Sequence, residues 1–252
     1  DILRAMANRV KKAGVDIRLN SRVKAITKDE AGFIIDLGGK KERYDAVVLA
    51  TGGASYTSTG STGDGYAFAK AFGHSITPIL PSLISLETEE EWPKELMGLS
   101  LKNVTLNAYN KKKKLVYSEL GEMLFTHFGI SGPLVLSASA YTGKAKGEPI
   151  WVEIDLKPAL TIEQLDARIL RDFDAAKNKQ VRNALDELLP KKLIPVMIEL
   201  AEIDPFKQVN AVTKEERERL IACMKKLTLH VVGTRGYEEA IITRGGVSVK
   251  EI

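Results

Sequence analysis

Residues 44–73, YDAVVLATGGASYTSTGSTGDGYAFAKAFG, constrain the fold more than any other stretch of this chain. The apolar run 46–50 follows Asp45 and lacks period-2 alternation. It predicts a strand buried on both faces, as in a parallel sheet. The run ends in Thr51-Gly52-Gly53, and a glycine pair at the carboxyl end of such a strand lets a ligand lie against the main chain. In the loop that follows, Gly60, Gly63 and Gly65 are interspersed with Ser61, Thr62 and Asp64. Asp64 is placed to N-cap a helix over 66–72, with Gly73 as its C′ residue. Strand, glycine turn, polar loop and helix, in that order, hold phosphate-bearing cofactors in α/β proteins. The spacing is not G-x-G-x-x-G, so this is not the first turn of a Rossmann unit.

The ATGG string at 50–53, followed by TGDG at 62–65, is similar to the second nucleotide-side motif of two-domain FAD flavoproteins. Together with LFTHFGISGP at 124–133 and TRGGVSVKEI at 243–252, it resembles one bacterial family closely. That family comprises FAD-dependent flavoproteins known as NAD(FAD)-utilising dehydrogenases or aminoacetone-oxidase-like enzymes. The resemblance implies an α/β nucleotide-binding domain plus a β-rich cap. It also implies that Thr51, Gly52, Gly53, Thr62, Gly63 and Asp64 line an FAD site. Val23 would meet the adenine through its backbone, and Gly245 and Gly246 would approach the isoalloxazine. A complete member carries a G-x-G-x-x-G unit before such a stretch and a further FAD-contacting segment after it. The expectation is therefore a middle piece, inactive by itself, whose partners include the remaining parts of its own FAD domain.

The length of 252 residues has room for roughly two domains. No apolar run approaches the ~20 residues of a membrane span, so no membrane partner is expected. The single Cys223 excludes an internal disulfide and suits a reducing cytoplasm, the expected location. Its setting, LIACM at 220–224, reads as a helix carrying a small buried hydrophobe. With three histidines and one cysteine, no metal site is expected. A net charge of +4 is too mild to indicate nucleic acid by itself.

Residues 1–13 predict an amphipathic helix ended by Gly14, followed by strands at 15–19, 21–26 and 33–37. Pro78 and Pro81 make 75–86 an extended crossing between domains, and His74 reads as a surface residue beside a helix end. Residues 99–156 are expected to be β-rich, with a charged turn at 110–114 and Ser131 capping a helix over 134–140. Thr161 and Gln164 form a capping box, and the pattern of Val181, Leu185 and Leu188 predicts a second helix. Pro190 and Pro195 precede a helix over 196–203, and Thr213 starts a last one through Lys226. Strand character resumes at 229–232 and 240–243. The expected organisation is 1–78 as the distal part of the FAD domain, 79–160 with 228–244 as the cap, 161–227 as a helical insertion, and 245–252 returning to the first domain.

Hydride exchange between a flavin and a small organic substrate is the expected function, with NAD(P)H as a candidate reductant. Such chemistry needs no side-chain nucleophile, and no Ser-His-Asp or Cys-His pattern is present. His127 and Arg244 are the candidate catalytic residues. His127 has the alternative of a satisfied core imidazole, and Arg244 that of a solvated turn residue or an anion holder. The alternative function is a non-catalytic nucleic-acid or protein binding module, supported only by the basic clusters at 111–114 and 191–192. A solvated turn is the simpler account of the first cluster, because no aromatics interleave it, and nucleic acid is not the expected partner.

Overall fold

A computed structural model describes residues 2–142 and 150–252. Asp1 of the first expected helix and residues 143–149 of the expected β-rich stretch lie outside the described residues. Helix α1 (Ile2–Lys12) leads into an antiparallel sheet of β1 (Ala25–Asp29), β2 (Gly32–Asp36) and β3 (Lys41–Tyr44). Ile26 faces Ile35 and Phe33 faces Tyr44 across this sheet. Next come α2 (Asp64–Ala71), β4 (Ile76–Ser82), β5 (Leu86–Thr88) and the short α3 (Trp92–Glu95).

The long hairpin of β6 (Ser100–Tyr109) and β7 (Leu115–Thr126) is followed by β8 (Gly129–Ser131), α4 (Pro133–Thr142) and β9 (Ile150–Asp155). Three helices follow, α5 (Ile162–Ala175), α6 (Ile194–Leu200) and α7 (Lys214–Lys225), before β10 (Leu227–Thr234) and β11 (Ile242–Val247). Six strands close an antiparallel barrel in the order β10-β5-β8-β7-β6-β9. Alternation along β6 and β10 sends Leu106, Ala108, Leu229 and Val231 inward, as a half-buried surface requires. The barrel core runs without a break into Leu165, Ile169, Met197 and Leu220 of the helices.

Both helix starts with a complete capping box, Thr161 with Gln164 and Thr213 with Glu216, have reciprocal hydrogen bonds in place. Elsewhere local signals yielded to context. Residues 15–19 are exposed and form no strand, since no strand among the described residues pairs with them. The 46–50 run is likewise not a buried strand: Val48 is 87% and Leu49 42% exposed, because no described strand or helix covers it. Gly63, at φ +81°, takes the N-cap position of α2, leaving Asp64 in the first turn. Ser131 closes β8, where its hydroxyl bonds that of Ser85 at 2.8 Å, while the Gly132 carbonyl accepts the Leu136 N–H.

The expected second helix at 181–188 is a short 3-10 turn at Val181–Asn183, because its backbone bonds outward to residues 205 and 207. Pro195 sits inside the first turn of α6, where its missing N–H costs nothing, and that helix ends at Leu200 rather than 203. The expected 240–243 strand starts at Ile242 and pairs with β4, outside the barrel, where Pro78 and Pro81 are tolerated in a two-stranded ribbon. Replacing Leu106, which is fully buried in the barrel, with Ala should cost about 2–5 kcal/mol in urea unfolding. The same change at Leu120, 63% exposed on β7, should cost under about 0.5 kcal/mol.

Candidate functional site

The 52–66 loop and β11 are sewn together by one threonine. Thr243 Oγ1 accepts the Ala54 N–H at 2.7 Å and bonds the buried Ser55 hydroxyl at 2.9 Å. The Gly63 N–H donates to the Gly53 carbonyl at 3.1 Å and closes the loop on itself. Gly53 must lack a side chain here, because a Cβ would collide with Thr243 Oγ1. Gly52 stands at φ +72°, a left-handed backbone that favours glycine, and a Cβ there would come 2.7 Å from Ser61 Oγ.

The same closeness recurs on β11. Gly245, at φ +85°, lies in a bulge where a Cβ would run into the Pro78 carbonyl oxygen. Gly246 packs over Tyr66, and its N–H donates to Thr77 Oγ1 at 3.1 Å. That N–H is therefore committed to β4. Small residues at 51 and 65 also meet: a side chain at Gly65 would collide with Thr51 Oγ1.

Between these parts lies a cavity of about 430 Å³, lined by Gly52, Gly53, Tyr56, Ser61, Tyr66 and Thr243 among others. Small-ligand sites commonly span ~300–1,000 Å³. The lining offers main chain and hydroxyls and contains no Lys or Arg. It fits a neutral, hydroxyl-rich or ring-edge part of a cofactor better than a pyrophosphate. The start of α2 is similarly unsuited to a phosphate, because its first residue, Asp64, is an acid that Arg22 holds at 3.0 Å. Gly52 and Gly53 thus fit a neutral part of FAD as a cradle.

The other expected residues are dispersed. Thr62 is exposed on the loop, its N–H given to the Gly60 carbonyl. Val23 precedes β1, half-buried, and among the described residues its N–H and C=O have no backbone partner. His127 is not a core imidazole: it is exposed in the β7–β8 turn, its ring edge-on to Phe128 at 4.9 Å. Arg244 donates to the Ala140 carbonyl at 3.3 Å, near the carboxyl end of α4 where a cation is favoured. Neither His127 nor Arg244 lines the cavity. Cys223 is half-buried, and burial pushes its thiol pKa up, away from a nucleophile's range. Sequence reasoning missed Tyr66, Ser55 and Thr243 as cavity residues. The TRGG string marks Thr243 as a neighbour of the glycine pair, but nothing local tells that it meets Ala54, 189 residues away.

A closed barrel with a helical insertion is joined here to a glycine turn that exposes its main chain. Residues 80–242 match the HI0933-like protein barrel and H2TH domain, and the chain belongs to the HI0933-like family. Residues 1–57 match flavin containing amine oxidoreductases, which makes the family FAD-dependent. Across all of its length the chain is 31% identical to a ribosomal RNA dihydrouridine synthase of Escherichia coli and 30% identical to that of Haemophilus influenzae. It is 28% identical to a 3-dehydro-bile acid delta(4,6)-reductase of Clostridium scindens, again over its whole length. The chain spans 60–61% of the length of these curated relatives. Replacing Thr243 with Val keeps the side-chain shape but strands the Ala54 N–H and the Ser55 hydroxyl. The loss should be about 1–3 kcal/mol in denaturant unfolding, with Thr243→Ser recovering most of it.

Proposed function

We propose that the whole protein is an FAD-dependent reductase that adds two hydrogens across a carbon–carbon double bond conjugated to a carbonyl. The observation that carries this reading is the glycine-floored cavity, in which Gly52 and Gly53 present main chain and Thr243 fixes the loop from the opposite strand. Bound FAD, once reduced by two electrons, would supply the hydride and return to its oxidised form, and a proton completes the addition at the neighbouring carbon. NAD(P)H is the proposed source of the reducing equivalents. The chain's own residues bind and orient: Gly52, Gly53 and the Ser61 and Tyr66 hydroxyls hold the neutral part of the cofactor, and Val23 its adenine end. The small-residue contacts of Gly245 and Gly246 with β4 and Tyr66 keep the returning strand close enough to wall the site.

The choice of reaction rests on the relatives' names. A dihydrouridine synthase saturates a double bond conjugated to a pyrimidine carbonyl, and a delta(4,6)-reductase saturates double bonds conjugated to a 3-oxo group. The proposed substrate is accordingly a small enone, held under the barrel. A second reading, uridine within RNA, is favoured by the two RNA-modifying relatives at 30–31% identity. The aminoacetone-oxidase-like and NAD(FAD)-utilising labels of the resembled family fit the same flavin chemistry, and cytoplasmic location is proposed with it.

In the whole protein, Gly52→Val should lower flavin retained per chain at least tenfold while circular dichroism stays that of the folded protein. A branched side chain at φ +72° would push on Ser61 Oγ, 2.7 Å from the Cβ position, and narrow the proposed cofactor cavity. Wild-type flavin content in that variant refutes the site. Mixing the dithionite-reduced protein anaerobically with a steroid dienone or a uridine-containing rRNA fragment tests the reaction. The 450 nm absorbance should return with one of them, and no return with either contradicts the reaction class.

A further inference from the structure

A second cavity, of about 270 Å³, lies between β6 and the 188–193 turn and shares no lining residue with the glycine-floored one. It has room for about nine waters or a ligand of similar volume. Leu101, Val104, Leu156 and Leu193 make most of its wall apolar, and all four are buried. Its polar side is made by Ser100, Lys102 and Lys157. No Asp or Glu lines it.

Lys157 is the unusual member. Its backbone is fixed by a bond from its N–H to Asp155 and by the Lys225 ammonium on its carbonyl. Asp155, which accepts that N–H, is spent on Lys225 at 2.6 Å. Among the described residues no carboxylate pairs with the Lys157 side chain. Burial pushes its pKa below the ordinary lysine range, and the Arg168 guanidinium pushes it the same way. Arg168 brings its own acid, Asp172, at 2.7 Å, so it has no spare counter-charge to share. A half-buried cation whose charged neighbour is another cation is costly unless something supplies the missing anion.

We propose that this slot binds a small amphipathic carboxylate, its aliphatic part on Leu101, Val104 and Leu193 and its anionic end on Lys157. Apolar walls favour the tail over water by area. Lys157, with Lys102 at the exposed rim, makes the slot selective for an anionic head over a neutral one. Octanoate, with ten heavy atoms, is a probe of suitable length, and octanol and acetate separate the head from the tail.

Titration calorimetry on the whole protein tests this. Octanoate should bind saturably, at least tenfold more tightly than either octanol or acetate. Lys157→Met should weaken octanoate at least tenfold and erase the preference over octanol, and Lys157→Arg should retain it. Ser100→Trp, an exposed change at the rim, should abolish binding of all three with the melting temperature unchanged. Equal affinity for octanoate and octanol, unaltered binding in Lys157→Met, or no octanoate binding below about 10 mM would each overturn the proposal. Acetate affinity equal to that of octanoate would mean a bare anion site and would overturn it too. The flavin content of these variants should equal wild type, so failure here is separable from failure of the cofactor site.

Discussion

The contact of Thr243 Oγ1 with the Ala54 N–H and the Ser55 hydroxyl is the interaction on which the shape of the glycine-floored cavity depends. The 46–53 segment has no covering layer of its own among the described residues, and Val48 points largely into solvent. What gives the glycine turn a fixed shape is therefore a hydrogen bond to a strand nearly two hundred residues later. That strand is in turn placed by the Gly245 bulge against Pro78 and by the Thr77 hydroxyl, which both accepts from and donates to Gly246. The glycine pairs at 52–53 and 245–246 are two ends of one device. Each lets backbone approach what a Cβ would block, and together they leave an accessible main-chain floor.

Rigidity for this device comes from the barrel. Its core joins that of the helices in one apolar cluster, so β5 and β10 are held firmly. The segments leading out of them, 82–86 and 234–242, carry that order to β4 and β11. Ile84 and Ala240 are buried there, and the Ile241 N–H bonds the Leu83 carbonyl. Arg235 adds to this junction by pairing with Glu87 and Glu239 while lying 4.6 Å over the Phe128 ring. The site is thus tied to the barrel, while Phe33 against Phe72 and Arg22 on Asp64 link α2 to the small β1-β2-β3 sheet and the segment before it.

The barrel strands and the capped helices were legible because their signals are local: alternation in 101–108 and 150–156, and the two capping boxes. The glycine turn was legible through residue size, and the FAD-dependent family through the resemblance of whole strings. What local pattern could not give is partnership. The apolar run 46–50 describes a strand only when neighbours cover it, and alternation at 15–19 describes one only when a sheet accepts it. Val181, Leu185 and Leu188 keep a helical spacing, yet the backbone there bonds to 205–208 instead. Ser131 and Asp64 have capping chemistry, but glycines at 132 and 63 turn the chain and free both side chains for Ser85 and Arg22. Thr243 and Tyr66 escaped notice for the same reason: their roles exist only across the fold.

The central claim, that the 52–65 loop and the 243–247 strand form one cofactor wall, is tested most directly by amide hydrogen exchange on the whole protein with and without FAD. The account predicts that FAD slows exchange in 52–65 and in 243–247 together, while the β6–β7 hairpin of the barrel is unchanged. Slowing confined to other segments, or to only one of these two, would contradict it.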